Sequence, residues 1–332
     1  MKKITFGVDI GGINSVIGVV DEEGNIFGEA TVSTKAHPAY ADYPRYIESV
    51  SEAMKGLLAA LDFEYELVGI GIGAPNANYL SGKIEQPANL WKFTLDDPNA
   101  DEELRIFPIL EDLKVHFPDV KYTAITNDAN AATIGEMVFG NARGMRDFAM
   151  ITLGTGLGSG FVANGEMIYG HDGFAGEYGH AIVERGGRQC GCGRKGCLET
   201  YVSATGIKRT AFELMATMRE PSPLRDIPFS KLESLDIAKA AAKGDALALE
   251  AFRFTGEMLG RALADVVTVT SPEAIILFGG LAKSGALIFE PTQKYMEENM
   301  LFAYKGKVKL LPSGIQDKNV AILGAAALIW QK

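Results

Sequence analysis

"FGVDIGGINSVIGVVDEEGNIFG" (residues 6–28) and "AMITLGTGLGSGFVANGEMIYG" (residues 149–170) decide the fold. Each reads as a strand, a tight glycine turn, a second strand, a polar turn and a third strand. Two copies at the heads of two halves predict two similarly folded lobes, with a cleft between their glycine turns.

The surrounding sequence fits that frame. "PRYIESVSEAMKGLLAAL", opening with Pro44, repeats apolar residues at helical spacing, whereas "LVGIGIGAP" and "YTAITND" read as buried strands. From "LDIAKAAAKGDALALEAFRFTGEMLGRALADVVTV" the chain is helical, with a break at Gly244 and Asp245. "EAIILFGG" is a strand running into a glycine turn, and "VAILGAAALIWQK" is a closing helix. Strands alternating with longer helices make the chain α/β.

Composition narrows the function classes. A chain of 332 residues suits two lobes or one large α/β unit, and 47% apolar residues supply a sizeable core. No apolar run reaches the about 18 residues of a membrane helix. The start "MKKITFGVDIGG" enters structured sequence at once, so neither a signal peptide nor a transit segment is expected. A soluble, cytoplasmic protein without a membrane partner is the expectation. A net charge of −10 argues against nucleic acid, whose phosphates require clustered Lys and Arg.

Three glycine turns follow predicted strands: "DIGG" (residues 9–12), "GTGLGSG" (154–160) and "FGG" (278–280). Glycine lets the backbone approach a ligand closely, so that successive N–H groups converge on phosphate oxygens. An acid at a strand end, as at Asp9, can hold Mg²⁺ through water beside them. Each turn alone is an ordinary hairpin; the three together favour a nucleotide cleft. Neither a Walker lysine signature nor a dinucleotide fingerprint is present.

"AITNDANAA" places Asn127 and Asp128 where a strand gives way to a helix. An Asp there caps a helix or acts as a general base, and the residues alone leave both open. All three cysteines lie in "HAIVERGGRQCGCGRKGCLET" (residues 180–200). A redox pair normally shows C-x-x-C, which is absent. A structural Zn²⁺ needs four N or S ligands, and Cys190, Cys192, Cys197 and His180 supply that number, although the first spacing is tighter than usual.

"DIGG", "NDANAA", "GTGLGSG", "GEYGH" (176–180) and "CGCGRKGCLE" (190–199) occur in the order seen in the ROK family of sugar kinases and repressors, which this chain resembles over essentially its whole length. "GRKGCLETYVSATG" looks most like the bacterial glucokinase branch. The resemblance implies a two-lobed actin/hexokinase-like (ribonuclease H-like) α/β fold with the active site in the interdomain cleft. The small lobe would comprise residues 1–126 plus 318–332, and the large lobe 127–317. The implied activity is transfer of the ATP γ-phosphate to the 6-hydroxyl of glucose, with Asp128 as base.

The resemblance also implies the remaining site residues. Asn127, Glu177, His180 and Glu199 match the family's hexose contacts, and Asn76 and Asn89 are further substrate-binding candidates. Gly11, Gly12, Thr155 and Gly156 would cradle phosphates beside Mg²⁺ at Asp9, and Gly279 and Gly280 would flank the adenosine. His180, Cys190, Cys192 and Cys197 would hold one structural Zn²⁺, with the second His180 nitrogen left for a sugar hydroxyl. A homodimer is implied as well. The chain departs from the family at Ile13, where relatives read "DxGGT"; Asn14 next to it offers an amide donor in place of the hydroxyl.

Other readings stay open. N-acetylmannosamine, N-acetylglucosamine, allose or fructose kinases share these residues, and some relatives use polyphosphate as donor. A non-enzymatic sugar-sensing regulator is the rival from the family's other branch. Its repressors carry a helix-turn-helix before the first glycine turn, whereas eight residues precede Asp9 here.

Overall fold

The computed structural model describes residues 1–87, 90–92, 105–315 and 319–331. The chain divides into two compact units, Met1–Gly144 with Tyr169–Ala175 and Gly314–Lys332, and Met145–Ile168 with Gly176–Ser313. The sequence set the division at 126 and 318 instead.

In the first unit, β1 (Lys2–Ile10), β2 (Ser15–Asp21) and β3 (Ile26–Val32) form the expected meander, followed by helix α1 (Tyr43–Ala59). Next come β4 (Tyr65–Gly73), a small three-stranded sheet of β5 (Ala77–Asn78), β6 (Lys83–Glu85) and β7 (Ile106–Phe107), and helix α2 (Ile109–His116). Then follow β8 (Tyr122–Thr126) and α3 (Asp128–Phe139). The main sheet runs β3-β2-β1-β4-β8, with β1 antiparallel to β2 and parallel to β4.

Strand alternation sorts the two faces. Ile4, Phe6, Val8 and Ile10 of β1 pack in one core with Tyr46, Val50 and Met54 of α1 and Leu113 of α2. The opposite face carries Gly7, which pairs across the sheet with Gly18 of β2 and Gly71 of β4. This glycine row receives the chain's last helix, α8 (Val320–Trp330). A Cβ on Gly7 would lie 2.1 Å from the Ile322 carbonyl oxygen, and one on Gly71 would lie 1.9 Å from that of Ala325. Only bare backbone lets the helix sit so close.

The second unit repeats the topology. Here β9 (Phe148–Leu153), β10 (Leu157–Ala163) and β11 (Glu166–Met167) form the meander. Helices α4 (Ala204–Thr217), α5 (Ser234–Ala242) and α6 (Ala246–Thr270) follow, then β12 (Ala274–Phe278), α7 (Ala286–Asn299) and β13 (Lys309–Pro312). The sheet order is β11-β10-β9-β12-β13, and β12 runs parallel to β9 as β4 does to β1. The break expected at Gly244 and Asp245 falls between α5 and α6, where Asp245 caps α6 by accepting the Ala248 N–H at 2.9 Å. Both sheets thus direct their first strand into a glycine turn beside a parallel neighbour, the arrangement expected of an actin/hexokinase-like α/β chain. Among the described residues, no helix is long and apolar enough to cross a membrane.

Candidate functional site

Strands β1, β4 and β8 run parallel, and their registers align Asp9 with Gly73 and Gly73 with Thr126. The chain then leaves β8 through Asn127 into α3. The cap is Asn127: its side chain accepts the Asn130 N–H at 2.7 Å. Asp128 therefore stands one residue further on, exposed in the first helical turn, where its Oδ1 accepts the Ala129 N–H at 2.9 Å.

Asp9 is the second acid of this corner. Its carboxylate lies beside Gly73 of the neighbouring strand, with Oδ1 3.7 Å from where a Cβ on that glycine would stand. Burial, with the negative charge of Asp128 adding to it, pushes the Asp9 carboxyl up to about 6. Two acids held close together are a natural seat for a cation. The turn beyond it closes through the Gly11 N–H donating to the Asn14 carbonyl at 3.0 Å. Gly12, Ile13 and Asn14 are exposed.

The Asp9 shift carries a stability consequence. The folded pKa lies above the unfolded one, so the native state binds the proton more tightly, and ionised Asp9 destabilises the fold at neutral pH. Stability from this group is regained as pH falls through about 6. A carboxyl raised to about 6 corresponds to a cost on the order of 3 kcal/mol at pH 7. Asp9→Asn should therefore raise the thermal midpoint at pH 7, with an advantage that fades toward pH 4. Equal melting of the two proteins at pH 7 would refute the buried charge.

Asn76 lies in the turn that follows β4. It adopts φ 55° in a turn, and its amide donates to the Gln86 carbonyl at 3.3 Å. A left-handed turn accounts for an asparagine at this position. Asn89 lies outside the described residues.

In the second unit the turn at 154–156 closes through the Gly154 N–H donating to the Gly156 carbonyl at 3.0 Å. The start of α4 is fastened to it: the Ala204 N–H donates to the Gly154 carbonyl at 2.8 Å, and the Thr205 hydroxyl to that of Thr155 at 2.9 Å. Sequence reading missed this helix terminus, although Ser203 is its N-cap and accepts the Gly206 N–H at 2.9 Å. Gly279 and Gly280 follow β12 on the same sheet edge, where the Leu281 N–H donates to the Leu153 carbonyl at 3.2 Å. Gly279 has φ 103°, and a Cβ there would lie 2.6 Å from that carbonyl oxygen, so only glycine fits.

The cysteine loop lies against the first of these turns. The donor atoms of His180, Cys190, Cys192 and Cys197 all fall within 4.8 Å of one another. His180 Nδ1 is 3.7 Å from Cys190 Sγ, and Cys192 Sγ is 3.6 Å from Cys197 Sγ. A zinc tetrahedron with Zn–S bonds of about 2.3 Å has edges of about 3.8 Å, so the four residues fit the ion. The Arg194 backbone N–H and guanidinium lower the Cys192 thiol to about 6, whereas burial raises that of Cys197 to about 12. Arg194 also donates to the His180 carbonyl at 2.9 Å, closing the loop on itself.

Glu199 joins loop and turn. Its Oε2 accepts the Leu157 N–H at 3.0 Å, and a Cβ on Gly156 would lie 2.2 Å from the same oxygen. Its Oε1 accepts from the Cys190 thiol at 3.8 Å. Glu177 is exposed at the start of the short helix Tyr178–His180. Behind that helix, the Tyr178 hydroxyl donates to the Ala262 carbonyl at 2.5 Å.

The sequence model of the ROK family matches residues 5–332. A glucokinase of Streptomyces coelicolor is 34% identical over 295 residues, which span 88% of this chain and 86% of that protein. The glucokinase of Thermotoga maritima is 31% identical over 329 residues, 98% of this chain and 97% of its own. Among solved structures, a ROK family glucokinase from Streptomyces griseus in complex with glucose and AMPPNP superposes with a TM-score of 0.73 at 31% identity, covering 98% of each chain.

Proposed function

The chain belongs to the ROK family, and from that premise we propose an ATP-dependent hexose kinase that phosphorylates the 6-hydroxyl of glucose. The observation that carries the reading is the acid pair: exposed Asp128 at the head of α3, with half-buried Asp9 at the end of β1. Phosphoryl transfer demands positioning and charge neutralisation more than covalent chemistry. Asp128 accepts the hydroxyl proton as the sugar oxygen attacks the γ-phosphorus, and ADP leaves with the bridging oxygen.

Asp9 holds Mg²⁺, which when bound neutralises the charge gathering on the transferred phosphoryl group. The turns at Gly11 and Gly12 and at Thr155 and Gly156 cradle phosphates, assisted by Asn14, while Gly279 and Gly280 flank the adenosine. Asn127, Glu177, His180 and Glu199 bind sugar hydroxyls, with Asn76 and Asn89 as further candidates. The zinc ligands are His180, Cys190, Cys192 and Cys197, a closed set that leaves the metal no water to activate. Reduced thiols of this kind suit the cytoplasm.

A panel of hexoses in an ADP-release assay tests the reading. Glucose should give the highest kcat/KM, and a higher value for an N-acetylhexosamine would reassign the acceptor. Sugar binding without ADP release would favour a sensor. Ile13 bears on the donor, being 67% exposed beside Gly12 where relatives carry threonine. A hydrogen bond to a charged group is worth about 1.5–3 kcal/mol, so Ile13→Thr should lower the ATP KM by about tenfold. Unchanged ATP kinetics would show that this position does not meet phosphate.

A further inference from the structure

Within the first unit, a pocket of about 560 Å³ opens against the glycine turn at Gly12 and Ile13. Lys35, Lys92 and His37 stand in its wall, and the described lining includes no carboxylate. That is a marked local excess in a chain of net charge −10. The backbone of each lysine is fixed while its side chain is exposed. The Lys35 N–H donates to the Ile13 carbonyl at 2.9 Å, which ties it to the turn itself. The Lys92 N–H donates to the Pro38 carbonyl at 3.0 Å, and its own carbonyl accepts the Tyr40 N–H at 3.0 Å.

The wall behind these lysines is rigid. Ser15 Oγ lies 2.7 Å from Thr34 Oγ1 and 2.6 Å from the Tyr46 hydroxyl, a buried network directly beneath Lys35 in sequence. Next to Lys92, Trp91 packs into an aromatic cluster, its ring 4.6 Å from Phe107 and 5.0 Å from Tyr46. Two lysines on a fixed backbone frame, in a lining whose described residues include no carboxylate, suit a small dianion. The volume lies within the range of about 300–1,000 Å³ typical of organic-ligand sites, so it exceeds the need of a bare ion.

We infer that this pocket is a binding site for a phosphate-monoester dianion, held by the Lys35 and Lys92 ammonium groups beside the Gly12–Ile13 backbone. The identity of its natural ligand rests on the kinase reading, since a hexose 6-phosphate is the product of that reaction. A dianion seated there repels the nucleotide phosphates proposed for the adjoining turn, so occupancy restrains turnover.

Calorimetric titration of the full chain without ATP tests this, using glucose 6-phosphate, inorganic phosphate and glucose as separate titrants. The wild type should bind glucose 6-phosphate. The Lys35→Ala/Lys92→Ala double variant should bind it at least about tenfold more weakly, since charge-assisted contacts are lost, and should bind glucose unchanged. If inorganic phosphate binds as tightly as the sugar ester and is lost in the same variant, the site reads the free ion. If only the ester binds, the site reads the product. In steady-state assays the variant should lose inhibition by added glucose 6-phosphate relative to the wild type. Equal affinity of wild type and variant for both phosphates would overturn the proposal. A wild type that releases no ADP with any hexose would overturn the kinase reading instead, leaving the calorimetric result to stand alone.

Discussion

Asp128→Asn should lower kcat by about 10²–10⁴-fold, the range expected when a positioned general base is removed. Its effect on the fold should be small. The side chain is exposed, and its one local bond, accepting the Ala129 N–H, passes to the amide oxygen of asparagine. What disappears is the charge, whose interaction with the helix terminus is worth about 0.3–1 kcal/mol. Because Asn127 caps α3, the variant also leaves the cap intact. Sugar affinity should stay within a few-fold of wild type, so titration with glucose and a coupled rate assay on the same preparation separate binding from chemistry. A variant retaining more than a tenth of wild-type kcat would remove Asp128 from the role of base. Complete loss of sugar binding would make it a ligand first and a base second.

That position shows what a sequence can and cannot disclose. The two meanders were legible because each packs its pattern into about two dozen residues, with glycine at both turns. The clustering of the cysteines with His180 was legible because the three thiols are neighbours in the chain. "ND" at a strand end left cap and base undecided, since both roles call for the same residue type; only the backbone assigns the cap to Asn127. The glycine row at 7, 18 and 71 was opaque for another reason. Its partner α8 lies between about 250 and 315 residues away along the chain, and nothing local distinguishes a strand glycine that receives a helix from one that weakens a strand. Strands of two or three residues, as in β5, β6 and β7, are too short to show a period. Helix α7 carries Pro291 inside it, against its own propensity, and is held instead by packing. There Pro291 Cγ and the Thr292 backbone lie within 3.0 Å of where Cβ atoms on Gly256 and Gly260 of α6 would stand. Glu199 was placed among sugar ligands by resemblance, but its bond to Leu157 depends on a fold that brings residues 42 apart together.

That bond makes zinc removal the most informative perturbation of the second unit. Stripping the metal with a strong chelator, or Cys197→Ser, should weaken glucose binding by about 10–100-fold, as when the groups that orient a binding side chain are lost. The effect should also reach the nucleotide. If these residues hold zinc, its loss would leave three thiols and an imidazole within 4.8 Å without a common partner, with burial raising the Cys197 thiol to about 12. The loop then depends on hydrogen bonds such as those from Arg194 to His180 and from Gly196 to Arg188. Glu199 stands between that loop and the 154–156 turn, with one carboxylate oxygen near Cys190 and the other on the Leu157 N–H. A loosened loop should therefore raise the ATP KM although none of the four metal ligands is assigned to the nucleotide. Glu199→Gln separates the two effects: zinc content should remain near one per chain, while amide exchange at Leu157 accelerates and the ATP KM rises. Metal analysis that finds no zinc in fully active protein would exclude the site. Zinc-free protein with impaired glucose binding but an unchanged ATP KM would show that Glu199 does not couple loop to turn.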